Sequence, residues 1–210
     1  MEYEDNSMKG SSLKTITATL CVALFMVGCG GTKVSRVDAG KEMALTDKWN
    51  DEDSRLVSAE MVDDMFSYPW LKRFKKKFPG KEPTITIQRI KNKSHEHIAT
   101  DTFINDIKRA VMRSGMAEFI VSGEERERVR AELKQQDMNA SDSTRMEQGE
   151  EMGANFALSG SINSIVDQLD GKRVTSYQVD LKLINLQTTR EAWSGVKKIK
   201  KFQQKSKFGM

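Results

Sequence analysis

Cysteine is almost missing: the chain of 210 residues has two, Cys21 and Cys29. Both sit at the amino-terminal end, so no pair is left for a disulfide within a folded domain, and stability has to come from an apolar core. Histidine is as scarce, and the two that exist, His95 and His97, occupy alternate positions that point apart on an extended segment. With no cysteine or third ligand nearby they complete no zinc set, and neither a metal nor any other cofactor is expected. No Gly-x-Ser-x-Gly elbow, phosphate loop or dinucleotide fingerprint is present. An excess of one charge is missing too. The 34 Lys and Arg face 30 Asp and Glu, interleaved, for a net charge of +4. That reads as solvated surface rather than a single-sign field, so nucleic acid is not an expected partner.

A long hydrophobic run is also absent, yet a short one is informative. Thr15 to Gly28 falls short of the roughly 20 apolar residues that a membrane-spanning helix needs, and Thr15, Thr17 and Thr19 interrupt it. The run Leu20 to Val27 follows Lys9 and Lys14 and ends in Gly28-Cys29, the order of a secretory signal. Met26-Val27-Gly28-Cys29 resembles the bacterial lipobox, whose cysteine is lipid-modified and becomes the first residue of the mature chain. Residues 1–28 are therefore expected to be a cleaved lipoprotein signal, with Met8 a plausible start because Glu2, Glu4 and Asp5 occupy a region normally basic. Cys29 is the expected attachment to the membrane. Gly30, rather than aspartate, after that cysteine favours the outer membrane.

Residues 29–50 read as a lipidated tether, polar and without apolar periodicity. About 20 such residues reach roughly 25 Å on average and near 70 Å when extended. A folded domain is expected over 51–201, with 202–210 a polar tail. Its first helix starts near Asp51, capped by Asn50 or Asp51, with Leu56, Val57, Met61 and Met65 at helical spacing and Pro69 opposing continuation. In Leu71 to Phe78 the spacing of Leu71, Phe74 and Phe78 points three side chains inward and leaves the lysines to water.

Thr84-Ile85-Thr86-Ile87 opens a strand expected to end near Ile90, with Lys91 to Ser94 turning the chain. The helix from Thr100 or Asp101 to Gly115 presents Phe103, Ile107, Ala110 and Val111 on one face. Phe119 to Val121 is a short strand, and Ser122 with Glu125 has capping-box spacing for an exposed helix. Residues 135–143 read as a loop and 143–152 as a helix. Phe156 to Ile162 is a strand. In the strongest strand signal Tyr177, Val179, Leu181 and Leu183 alternate with Ser176, Gln178, Asp180 and Lys182, giving one buried and one polar face. After a turn at 185–190, Glu191 to Val196 returns antiparallel. Trp70 and Trp193 read as core anchors.

Several of these segments together resemble a known family: Trp49-Asn50-Asp51, Asp53-Ser54-Arg55-Leu56, Pro69-Trp70-Leu71, Asn92-Lys93-Ser94, Glu96-His97-Ile98, Gly160-Ser161-Ile162, Tyr177 to Leu181 and Trp193-Ser194-Gly195. They are similar to those of the LpoB-like lipoproteins, outer-membrane activators of bifunctional penicillin-binding proteins. The resemblance implies an α+β fold with a small, mainly antiparallel sheet of four to five strands and flanking helices, similar to the amino-terminal domain of TolB. It also implies a periplasm-facing, lipid-anchored regulator that catalyses nothing itself and docks on a peptidoglycan synthase, raising its activity. The family's best-known member has a long proline-rich tether, whereas residues 30–50 here contain no proline.

Candidate contacts are the polar strand face at Gln178, Asp180 and Lys182, and the loop residues Asn92, Ser94 and His97 together with Arg55. The plain alternative for each is solvated surface. A different class of function, an envelope assembly or secretion lipoprotein of the CsgG type, needs long hairpins with about 10 residues of lipid-facing alternation per strand. The best such stretch, Val174 to Leu186, reads as part of the core, which leaves no spare pair of strands for a pore.

Overall fold

In the computed structural model of the chain the described residues are 35–38, 45–139 and 153–204. Cys29 and the helix expected near 143–152 lie outside them. Helix α1, Asp51–Ser67, starts where Asn50 Oδ1 accepts from the Asp53 amide at 2.9 Å and Asp53 Oδ2 accepts from the Asn50 amide at 2.9 Å. This reciprocal box satisfies amides that the first helical turn leaves unpaired, and the acids Asp51, Glu52 and Asp53 sit at the positive end of the helix dipole. The helix stops at Tyr68, held extended by the following Pro69, which serves as first residue of α2, Pro69–Lys77. Trp70, Leu71 and Phe74 of α2 are buried while its lysines face water, as the spacing predicts.

The sheet runs in the order β2-β1-β3-β4-β5. Strand β1, Thr84–Lys93, lies parallel to both β2, Glu118–Phe119, and β3, Phe156–Leu169. Helix α3, Thr100–Ser114, makes the crossover from β1 to β2 and ends at Gly115, whose φ of 61° is a left-handed cap. Strands β4, Lys172–Asn185, and β5, Glu191–Gln204, continue antiparallel from β3. The sheet is thus mixed, not mainly antiparallel: strands separated by a helix return in the same direction, and strands joined by tight turns reverse. The β3–β4 turn is Asp170-Gly171 with φ of 48° and 75°, the two-residue hairpin form that follows right-handed strand twist.

Helices α1 and α3 pack against each other and over one face of the sheet, α3 on β1 and β2, α1 on β5. The core between them holds Val57, Met65, Phe103, Ile107, Leu158 and Ile162, with Tyr177, Val179, Leu181 and Leu183 from the alternating strand. Trp70 and Trp193 are both core residues, 3% and 2% exposed. The Trp193 ring lies directly on Gly195, so that any Cβ there would meet it, and Trp193 Nε1 donates to Asp64 Oδ2 at 2.8 Å.

Several elements outrun their sequence signals. β1 continues to Lys93, β3 to Leu169 and β5 to Gln204, so Lys91 to Lys93 is strand rather than turn, and 197–204 is not a frayed end. The alternation of Lys197, Ile199 and Lys201 places them over α1, where Lys197 pairs with Glu60 and Lys201 with Asp53. Helix α4, Glu124–Asn139, takes in residues 135–139 expected as loop, and buries none of its side chains. Ser122 does not cap it. Its hydroxyl donates instead to the Ile87 carbonyl at 3.1 Å, tying the chain to β1.

Candidate interaction surface

With α1 and α3 on one face, the register defines what the opposite face presents. Ser159, Ser161 and Asn163 on β3 lie beside Lys182, Asp180 and Gln178 on β4, and these beside Ser194, Val196 and Lys198 on β5. Lys91 and Lys93 of β1 pair with Ser161 and Asn163. A shallow groove of about 550 Å³ runs across this face between Arg89, Lys91, Lys182 and Ser194. At its centre Asp180 is held by amides: Asn163 Nδ2 donates to Oδ2 at 2.9 Å and Gln178 Nε2 to Oδ1 at 2.9 Å. Because Asp180 accepts from neutral donors, the lysines around it keep no ion-pair partner among the described residues. The face is a basic surface with a fixed, polar centre.

The structure joins Gln178 and Asp180 directly and sets Lys182 next along the same face. It does not bring the other expected residues to them. Arg55 lies on α1, on the helix side of the sheet, where its Nε donates to Glu52 Oε2 at 2.9 Å and it lines a groove with Asp106 and Arg109. The guanidinium hydrogen bond holds the Glu52 carboxyl below its usual range. Asn92 and Ser94 spend their polar groups on the turn itself. Asn92 Oδ1 accepts from the Ser94 amide at 2.9 Å, and its Nδ2 donates to the Glu96 carbonyl at 2.8 Å. His97 is exposed beside Asn92 and Asp101 in an adjoining groove, across β1 from the one at Asp180 and sharing Arg89, Lys91 and Lys93 with it.

A second polar constellation escaped the sequence reading. Asp47, placed in the tether by its polar surroundings, is only 5% exposed. Its carboxylate accepts from the Thr175 hydroxyl and lies 2.8 Å from Arg173 Nε, while its carbonyl accepts from Tyr177 Oη at 3.1 Å. Tyr177 Oη shares its one proton between that carbonyl and Glu96 Oε1, 2.6 Å away, which in turn accepts from the Trp49 amide at 2.9 Å. The Trp49 ring packs edge-on against Phe103 and Tyr177. Burial raises the Asp47 carboxyl, but the Thr175 hydrogen bond and the Arg173 charge outweigh it and hold it below the ordinary value. Burial and the Glu96 carboxylate push the Tyr177 hydroxyl far above its usual range. The domain therefore begins before residue 51. The one available signal was Trp49, a large aromatic in an otherwise polar stretch.

His95 joins the edge of this constellation, its Nδ1 2.6 Å from Ser164 Oγ and its Nε2 3.1 Å from Arg173 Nη2. Among the described residues no group of three His, Cys, Asp or Glu side chains is placed to hold a metal ion, and no helix is long and apolar enough to cross a membrane.

The family profile described as peptidoglycan-synthase activator LpoB matches residues 53–199, and the chain belongs to that family. Among solved structures it is similar to the LpoB C-terminal domain from Escherichia coli, at 14% identity and a TM-score of 0.43, over 70% of this chain and 98% of that one. The NMR structure of E. coli LpoB aligns at 11% identity and a TM-score of 0.41, over 85% and 81%. Lipoprotein GNA1162 from Neisseria meningitidis aligns at 16% and 0.37, over 60% and 88%. No curated protein sequence matches the chain.

Proposed function

We propose that this protein is a lipid-anchored, periplasm-facing regulator that binds a bifunctional penicillin-binding protein and activates it in peptidoglycan synthesis. Membership of the LpoB family across residues 53–199 is the observation that carries this reading. Anchorage at the outer membrane follows from the lipobox at Met26 to Cys29 and from Gly30. The chain itself performs no reaction. Activation is differential binding: the domain docks better on the active conformation of the synthase than on the inactive one and shifts the population by that difference.

The docking surface is the open face of the sheet. Lys91, Lys93, Lys182 and Lys198, without ion-pair partners among the described residues, stand around the amide-held Asp180, which suits an acidic surface with hydrogen-bonding groups at its centre. Arg55, Asn92, Ser94 and His97 are not part of it. The test is glycan polymerisation and cross-linking by a purified bifunctional synthase, with and without chain 30–210. Stimulation severalfold is expected, and its loss in Lys91→Glu/Lys182→Glu/Lys198→Glu at unchanged thermal midpoint. Absence of both binding and stimulation would overturn the reading, as would turnover of cell-wall substrate by chain 30–210 alone.

A further inference from the structure

The long antiparallel strands project past the helices as an arm, and its two faces are treated differently. On the helix side, segment 45–50 lies along it through Asp47, Thr175 and Tyr177. On the other side Ile165, Leu169 and Phe202 are 75%, 73% and 62% exposed. Of the five most exposed large apolar side chains among the described residues, these are three; the others are Leu45 and Met138. The register puts them together: Asp167 pairs with Val174 and Val174 with Phe202, with Ile165 and Leu169 two residues away on either side of Asp167. Lys172 and Lys200 share this face, and neither has an ion-pair partner among the described residues.

We infer that this face of the arm seats on a bilayer surface carrying anionic phospholipid head groups. Large apolar side chains ringed by lysines fit the interface, where the former enter the acyl boundary and the latter meet the head groups. The arm does not cross the bilayer. A spanning strand needs about 9–11 residues of lipid-facing alternation, and Asp167 and Lys172 interrupt this short stretch.

Where the chain enters the domain supports the same occupant. It arrives at Asp47 on the helix side of the arm, opposite the apolar face, and from Cys29 to Asp47 it spans at most about 60 Å by covalent geometry, long enough to leave that face free to meet the bilayer. A domain held that close meets the bilayer at an effective concentration on the order of millimolar, so a weak surface affinity is enough. The inference rests on the lipid anchorage proposed above.

Every buried residue described lies at or beyond Asp47, so chain 30–210 keeps the whole core and carries no acyl group. Flotation of this chain with vesicles is the test. It should rise with phosphatidylglycerol vesicles and not with pure phosphatidylcholine, fall at least tenfold in Ile165→Thr/Leu169→Thr/Phe202→Thr, and fall with added salt. Leu169→Thr alone, next to the hairpin turn, gives a smaller loss and guards against misfolding of the triple variant. The inference is overturned if chain 30–210 stays unbound at vesicle lipid on the order of millimolar, the concentration the tether would supply, or if the triple variant binds equally well. It is overturned in favour of a second copy if the triple variant only converts a dimer to a monomer. Mass spectrometry of Cys29 in the native protein tests the anchorage separately: an unmodified thiol removes that reading whatever the vesicles show.

Discussion

Arg173 Nε stands 2.8 Å from Asp47 Oδ2, joining a residue that precedes the first helix to one near the tip of β4. Asp47 is 5% exposed and Arg173 31%, so the pair is neither a surface bridge nor a fully desolvated one. Removing the carboxylate leaves Thr175, wholly buried, without its acceptor and Arg173 without its counter-charge. Asp47→Ala is expected to cost about 2–3 kcal/mol, less than the loss of one partner from a fully buried pair, and Arg173→Ala about 1 kcal/mol. Denaturant unfolding of both single variants and the double variant gives the coupling; strict additivity would show that the two groups do not interact.

The same carboxylate makes stability depend on acid. Its native pKa is depressed, because the Thr175 hydrogen bond and Arg173 outweigh burial. The stabilisation is therefore present above the unfolded value of about 3.9 and is lost as pH falls through the native value. Thermal midpoints of the wild type and Asp47→Asn should differ most near neutrality and converge below about pH 4. A constant difference across that range would assign the effect to packing.

Tyr177 Oη serves two acceptors, Glu96 Oε1 and the Asp47 carbonyl. Tyr177→Phe keeps the ring against Trp49 but strands both, at an expected cost of about 1–3 kcal/mol. Hydrogen exchange should show the amides of 47–50 opening more readily than those of α3. Equal protection of the two would argue that segment 45–50 does not depend on this hydroxyl.

At Gly195 the obstacle is steric. A Cβ there would run into the Trp193 ring, which is itself fixed by Asp64. Gly195→Ala is expected to destabilise by about 1–3 kcal/mol, and Trp193→Leu should relieve much of that penalty in the double variant. Near-UV circular dichroism reports the displaced indole directly.

Docking through the open face, as proposed, rests on charge, so the association should weaken as salt is raised. Titrating chain 30–210 against a purified synthase at about 50 and 300 mM salt checks this. Lys182→Gln should reduce both the affinity and its salt dependence, whereas Lys72→Gln, on α2 and away from this face, should leave them alone. Identical salt behaviour of the two variants would move the docking surface elsewhere.

Much of the fold was legible because its signals are local. The start of α1 at an Asn50 or Asp51 cap, the inward spacing of α2, the amphipathic face of α3 and the alternation of Tyr177 to Leu183 each follow from neighbouring residues. Extents were harder. Lys197 to Lys201 looks like a solvated end until Glu60 and Asp53, far away in sequence, are known to lie under it. Sheet direction depended on a helix crossing between β1 and β2 rather than on any strand's composition. Of the expected contact residues, Gln178, Asp180 and Lys182 share a face because strand periodicity enforces it. Arg55 and the loop residues fall elsewhere, since nothing in their spacing fixes a helix relative to a turn. Asp47 was hidden for the same reason: its partners are more than a hundred residues away.

Helix α4 buries none of its side chains, so little of the fold's cohesion passes through it. A reporter spliced onto its outer surface would ride with the domain without loosening the sheet. Microscopy on such a fusion could follow where along the envelope the protein gathers while new wall is being laid down.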